Sequence, residues 1–355
     1  MKVLHVVEHL HKLSGVSCFC NEVTDALREQ GIDVVVALSR FSDQNQLPSR
    51  CNVQRMNLRN ILNGTLKSDW DIIHIHNLWT MTQHRSMTWA YNNDTPVVWS
   101  LHGTLSPWAF RYKWWKKLIP WHLYQKSDLR AASVIHVTSS DEEKWVRDAG
   151  FAQEVVTIPL GTTLPESIPV RHGPERTLLF VGRITPVKAL PNLLGAWAMV
   201  RPVGWKLRIV GVQDFDGYTD YLKAQCDRLG ISASIEFPGQ RFGEDLLGEY
   251  ADASALILPS HNENFGAVVI DALAWGMPVI TSTGTPWQEV EKVGCGWWVD
   301  NTSQKLAETL KGLMSLSDDE RHTMGVKGRR YVAERYTWQS VALEMKGVYE
   351  SLLQR

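Results

Sequence analysis

The chain has 355 residues, 44% of them hydrophobic and 21% charged, with a formal net charge of −1. That length predicts two domains, and the balanced charge excludes a protein that holds nucleic acid through a global basic field. Five cysteines, an odd number without zinc-ligand spacing in a chain too large to need covalent staples, read as free thiols in a reducing compartment.

The first residues, MKVLHVVEHLHK, lack a long apolar segment of the secretory type. They read as a first strand over 2–7, which predicts a cytoplasmic protein; no run reaches the length of a membrane span. A turn at 13–15, containing Ser14 and Gly15, opens a helix over 16–30 that Gly31 ends. Apolar runs at 34–38, 71–76, 96–101, 134–138 and 155–159 read as further strands. His74 and His76 lie two apart on one of them and so share a face; a metal site there would need a third ligand that the sequence does not indicate, so cleft lining or packing is expected instead. His102 follows another of these runs and precedes Gly103.

Residues 108–126, WAFRYKWWKKLIPWHLYQK, interleave Arg111, Lys113, Lys116, Lys117 and Lys126 with aromatics that include Trp108, Trp114, Trp115, Trp121 and Tyr124. Such a stretch suits a membrane interface, a lipid-diphosphate acceptor or sugar stacking, and equally a surface helix whose aromatics pack inward. Residues 160–175 are rich in Pro, Gly and polar side chains and read as an interdomain linker.

The second half repeats the alternation, with strands over 177–182, 207–211, 235–238, 255–258 and 278–281 and closing helices over 318–335 and 338–353. Repeated β-α alternation predicts parallel sheets with helices on both faces. Arg183 and Lys188 flank the turn after the first of these strands, where a helix N-terminus and two cations suit a pyrophosphate. Asp214-Phe215-Asp216 also follows a strand, but Asp and Gly clusters are ordinary turn chemistry, and these acids read as loop residues rather than metal ligands. The segment 260–280, SHNENFGAVVIDALAWGMPVI, runs loop, helix, strand and opens at a strand's carboxyl end. Its two acids, Glu263 and Asp271, have no basic neighbour in sequence, which suggests hydroxyl groups as their target. Gly266 lets a ligand approach the backbone N–H groups at the helix start.

In order and spacing, GRITPVK and ENFGAVVID resemble the GR-x(4)-K turn and the acidic E-x(7)-E segment containing FG of retaining glycosyltransferases of family 4. The resemblance extends through ALILPSHNENFG and WGMPVITSTGTPW and covers nearly the whole chain. It implies the GT-B fold, an α/β architecture of two Rossmann-like, doubly wound parallel-sheet domains facing a cleft. The implied domains are 1–165 for the acceptor, 166–335 for the nucleotide-sugar donor, and a final helix over 336–355 that crosses back to the first domain.

By position, the resemblance implies that Arg183 and Lys188 neutralise the donor diphosphate and that Glu263 contacts sugar hydroxyls. Phe265 and Gly266 would offer backbone donors to the sugar, with Asn264 and Ala267 completing the donor-binding stretch. Asp271 would hold the ribose, although the family pattern carries the longer Glu there. Gly15 stands where the family's Gly-rich turn approaches the donor phosphate, and His102 where the family has a His near the scissile bond.

The implied activity is metal-independent, retaining transfer of a sugar from a nucleoside diphosphate to a glycan or lipid-linked acceptor, as in bacterial lipopolysaccharide, O-antigen, capsule or exopolysaccharide assembly. It needs no cofactor beyond the sugar nucleotide and no nucleic acid, and residues 108–126 would make peripheral contact with the cytoplasmic face of an inner membrane. The alternatives are a non-catalytic sugar-nucleotide-binding protein of the same fold and a Rossmann oxidoreductase. The latter needs a GxGxxG turn that HLHKLSGVS does not supply.

Overall fold

The structure is a computed structural model that describes residues 1–8, 10, 15–39, 54–62, 69–111, 113–169, 176–213 and 216–355. Short runs of Val, Ile and Leu form many of its strands, and central ones such as Ile72–His76 and Ala255–Leu258 are buried along their whole length, as parallel strands covered on both faces must be. The chain divides into two compact units, one of residues 1–161 with 338–355, the other of residues 162–337. Sequence reading put these breaks at 165/166 and 335/336.

In the first unit the strands are β1 (Lys2–Val7), β2 (Asp33–Leu38), β3 (Gln54–Asn57), β4 (Ile72–His76), β5 (Val97–Ser100), β6 (Val134–Val137) and β7 (Val155–Thr157). Among the described residues they form one parallel sheet in the order β3-β2-β1-β4-β5-β6-β7. The order reverses between β1 and β4, which is the switch point of a doubly wound sheet. One face carries Val3, Val7, Val34, Val36, Ile72, Val98 and Val134. It is covered by the helix Gly15–Glu29 and the last helix, Trp338–Leu353, through Phe19, Val23, Trp338, Met345 and Tyr349. The opposite face, with Leu4, Val6, Ile73, Ile75, Trp99 and Ile135, packs a second cluster. The closing helix of the chain thus belongs to the first unit's core.

In the second unit β8 (Arg176–Val181), β9 (Trp205–Val210), β10 (Ile235–Gly239), β11 (Ala255–Leu258), β12 (Val279–Ser282) and β13 (Gly296–Val299) pair in the order β10-β9-β8-β11-β12-β13. The reversal here lies between β8 and β11. Strand ends come very close: a Cβ on Gly211 would lie 1.7 Å from the carbonyl oxygen of Gly182, so only glycine fits there. Local signals set the helix ends. Ser317 and Glu320 form a reciprocal capping box at the start of Asp318–Arg335, and Thr302 caps Ser303–Ser315.

The stretch read as a linker is in part structured. Thr162 is buried, pairs with Thr337 in an isolated parallel bridge, and donates its N–H to the Tyr336 carbonyl at 2.7 Å. A buried backbone group needs such a partner, so this end is fixed within the second unit. Residues 170–175 lie outside the described residues.

Candidate functional site

In the second unit the two sequence motifs meet at the switch point. After β8 the chain passes Gly182 and Arg183 and makes a short 3₁₀ turn, Pro186–Lys188. Ala189 follows with φ of 51°, a left-handed backbone rare for a residue with a side chain. After β11 the loop from Pro259 reaches the helix Ala267–Ala274. Because β8 and β11 are neighbours, the two loops touch: the His261 N–H donates to the Val187 carbonyl at 2.8 Å.

Lys188 Nζ forms an ion pair with Glu263 Oε1, and both side chains are 13% exposed. The same oxygen accepts from Ser260 Oγ at 2.6 Å, and the Glu263 N–H donates to the Gly284 carbonyl at 2.8 Å. The expectation that Glu263 has no basic partner is therefore corrected. Its partner is 75 positions away in sequence and adjacent only through the strand order. Arg183 stands on the same loop with an exposed side chain.

Gly266 is the cap of the helix Ala267–Ala274, at φ 79°. A Cβ there would meet Leu258 Cδ2 at 3.1 Å and Trp287 Nε1 at 3.3 Å, so backbone conformation and crowding both favour glycine. Trp287 Nε1 donates to the Phe265 carbonyl, and the two rings meet edge to face at 5.1 Å. Asn264 and Ala267 flank this pair, and Ala267 opens the helix. The arrangement fixes the backbone whose N–H groups face the helix start.

Asp271 lies further along the helix. Its Oδ1 accepts from Thr162 Oγ1 at 2.6 Å, with the Tyr250 hydroxyl beside it. Burial pushes its carboxyl up to about 6, against these hydroxyls, which favour the charged form. Ser260, Thr162, Tyr250 and Trp287 are supports that sequence reading missed. A lone Ser, Thr, Tyr or Trp carries no signal until its partner is known.

In the first unit, Gly15 is the first residue of its helix, with nothing within 4 Å of an added Cβ. Steric crowding therefore does not require glycine there, and Ser14 lies outside the described residues. His102 follows β5 with φ of 54°, and the next residue, Gly103, donates its N–H to the buried carboxylate of Glu142. Glu142 also takes the Thr138 N–H at 2.8 Å, so it braces the turn that carries His102.

His74 and His76 share a face of β4, as expected, and both are fully buried. The third imidazole that sequence reading did not find is His5, which pairs in register with His74 across β1 and β4. His5 Nδ1 and His76 Nε2 are already bonded to each other at 3.0 Å, and His76 Nδ1 meets His102 Nε2 at 3.0 Å. Asp214 and Phe215 lie outside the described residues, and Asp216 is exposed.

Pro107–Arg111, Trp114–Pro120 and Lys126–Ala131 are short helices, the last two joined by a π-helical segment, Trp121–Gln125, just after Pro120. The inward-packing expectation is met in part. Trp121 is buried, edge to face with Phe110 at 5.4 Å and with Phe151 at 5.9 Å. Trp108, Trp114, Trp115, Leu118, Ile119 and Leu123 are exposed, Leu123 by 75%. No helix among the described residues is long and apolar enough to cross a membrane.

Two family descriptions match the chain, "Glycosyltransferase Family 4" over residues 3–164 and "Glycosyl transferases group 1" over residues 167–331. An uncharacterized glycosyltransferase of Methanocaldococcus jannaschii is 30% identical over 179 residues, 50% of this chain and 45% of that protein. The chain thus spans less than half of that relative's length. The GDP-mannose:cellobiosyl-diphosphopolyprenol alpha-mannosyltransferase of Komagataeibacter xylinus is 25% identical over 300 residues, 81% of this chain and 72% of that one. Among solved structures, Anabaena HepE in complex with UDP and glucose superposes with a TM-score of 0.78 at 17% identity, covering 99% of this chain and 100% of that one. WaaG, a glycosyltransferase involved in lipopolysaccharide biosynthesis, superposes with a TM-score of 0.73 at 14% identity, covering 98% and 99%. These likenesses share the two-domain α/β fold.

Proposed function

The chain belongs to the family 4 glycosyltransferases, and from that premise we propose that it transfers a sugar from a nucleoside diphosphate donor to a hydroxyl of a glycan or lipid-linked acceptor. The observation that supports this reading best is the meeting of Lys188 and Glu263 at the switch point between β8 and β11. One cation suited to a diphosphate and one acid suited to sugar hydroxyls stand side by side, beside a helix start with ordered backbone. The bond between the anomeric carbon and the diphosphate oxygen breaks, its electrons leave on the diphosphate, and the acceptor oxygen bonds to the anomeric carbon as its O–H proton passes to the departing diphosphate oxygen. Lys188 and Arg183 offset the charge that grows on the leaving group. Glu263 then exchanges its ion pair for hydroxyls of the sugar, and positioning supplies the rest. Retention of anomeric configuration is part of the proposal and follows the family pattern.

A thermal-shift screen of nucleoside diphosphate sugars tests this. A donor at a hundred times its dissociation constant adds about 2.7 kcal/mol to the folded state. At least one donor is expected to raise the melting point; a panel without any shift, UDP and GDP included, would remove the reading. The two cations make a bound metal superfluous, so transfer is expected to survive exhaustive EDTA treatment. Activity lost to EDTA and restored by manganese or magnesium would contradict that part.

The exposed Trp114, Trp115, Ile119 and Leu123 beside Lys113 and Lys116 favour a second reading of the same protein. An apolar and basic face of this kind suits the headgroup region of an anionic bilayer. It would bring a cytoplasmic enzyme to a lipid-linked acceptor, as bacterial surface polysaccharide assembly requires.

A further inference from the structure

The strand register of the first sheet gathers an unusual set of side chains on one face. His5 lies opposite His74, His76 opposite Ser100, and Ser100 opposite His136. All five are fully buried, as is Tyr349 of the last helix. They form one unbranched run of hydrogen bonds. His136 Nε2 meets the Ile158 carbonyl at 2.8 Å, and His136 Nδ1 meets Ser100 Oγ at 2.6 Å. Ser100 Oγ meets His74 Nε2 at 2.6 Å, and His74 Nδ1 meets the Tyr349 hydroxyl at 2.5 Å. That hydroxyl meets His5 Nε2 at 3.2 Å. His5 Nδ1 then meets His76 Nε2, and His76 Nδ1 meets His102 Nε2, both at 3.0 Å.

The protons of this run follow from its one fixed end. A carbonyl only accepts, so His136 must carry its proton on Nε2 and accept on Nδ1. Ser100 then donates to His136 and accepts from His74. The same logic passes through Tyr349, His5 and His76 to His102. Every neutral ring in the run is the Nε2–H tautomer, and every polar atom in it is satisfied but one. His102 Nδ1 makes no hydrogen bond among the described residues. Phe19 packs edge to face on the His102 ring at 5.1 Å and holds its plane.

We propose that His5, His74, His76, Ser100, His136 and Tyr349 are positioning residues, which fix His102 as the neutral Nε2–H tautomer so that Nδ1 offers a lone pair to a hydroxyl of the sugar substrate. The last clause rests on the glycosyl-transfer reading; the tautomer does not. Burial supports the neutral state, holding His5 and His102 down at about 3 and His136 at about 4, with His74 and His76 also well below the usual histidine range. The run ends on a backbone carbonyl, so it leads no proton away. Its effect is to decide which nitrogen of His102 accepts. A divalent ion among His5, His74 and His76 would have to break these bonds and sit without an anion in a fully buried place, which is costly.

Nitrogen-15 spectra of histidine-labelled protein distinguish the two neutral tautomers and the doubly protonated ring. At neutral pH all five rings are expected as Nε2–H, without stoichiometric zinc. An Nδ1–H or doubly protonated ring among the five, or bound metal, would overturn the proposal. Tyr349→Phe cuts the run between His5 and His74. His74 and His136 should keep Nε2–H, while His102 becomes a mixture. Ser100→Ala should free His102 in the same way with only His136 held. A folded variant of either kind whose His102 stays wholly Nε2–H would also overturn it, and if both unfold the wild-type spectrum still decides. These spectra need no donor, so their failure would leave the transfer reading standing, and absence of donor turnover would leave the tautomers unchanged.

Discussion

Asp271 and Glu263 sit on one short stretch of chain yet have different surroundings. Glu263 shares its oxygen with a lysine and a serine, whereas Asp271 is held by hydroxyls inside the second unit. The Asp271 carboxyl is raised from its ordinary value of 3.8 to about 6. Folded protein therefore binds this proton more tightly than unfolded chain does. The stability tied to it is complete below 3.8 and falls as pH rises from there to about 6, by at most about 3 kcal/mol. Asp271→Asn is uncharged at every pH and does not follow that decline. Its melting point minus that of the wild type should therefore grow between pH 4 and pH 6 and then level off. A difference that stays flat across this window would show that burial does not act on Asp271 in this way.

At the scale of elements, the segment 107–131 separates into an inward and an outward face. Trp121 anchors it against Phe110 and Phe151, and the exposed aromatics stand beside Lys113 and Lys116. Lys117 is a poorer probe, because its ammonium donates to the Ala109 carbonyl and lies over Trp79. Binding to anionic liposomes is expected to weaken with salt and to drop further in Lys113→Glu with Lys116→Glu. Binding that is absent or indifferent to salt would leave these aromatics without a membrane role.

The elements were legible where apolar runs were clean. Sequence reading placed β1, β4, β8 and β11 and the last two helices within a residue or two. It missed β3, whose QRMN is polar, and β13, whose GWWV follows Cys295 without a break; both are edge strands of their sheets. Edge strands bury less and so carry a weaker pattern. The site was legible as motifs but not as contacts. Lys188 and Glu263 each stood out, while their pairing depends on the order of β8 and β11. His5 looked like one more residue of an apolar strand. Only the register with β4, β5 and β6 turns four unremarkable positions into a single bonded run.

At the scale of the molecule, two doubly wound sheets each gather a cluster of bonded polar side chains at their own switch point. In the first unit this is the histidine run beginning where β1 meets β4; in the second it is the Lys188–Glu263 pair where β8 meets β11. Loops after parallel strands gather there in open α/β sheets, which is why such sheets bind ligands at that edge. Some of the strained backbone lies in such loops: Asn77, Trp79, His102 and Ala189, all with positive φ, follow β4, β5 and β8. The central claim is that the switch point of the second sheet is where a diphosphate leaves a sugar. The most direct measurement is the rate of nucleoside diphosphate release from a panel of sugar nucleotides, by the wild type and by folded Lys188→Ala and Arg183→Ala. The account predicts release from at least one donor, slowed by about a hundredfold in either variant, the order expected when a charge donor to the transition state is lost. Release at the wild-type rate in both variants, or from no donor by the wild type, would contradict it.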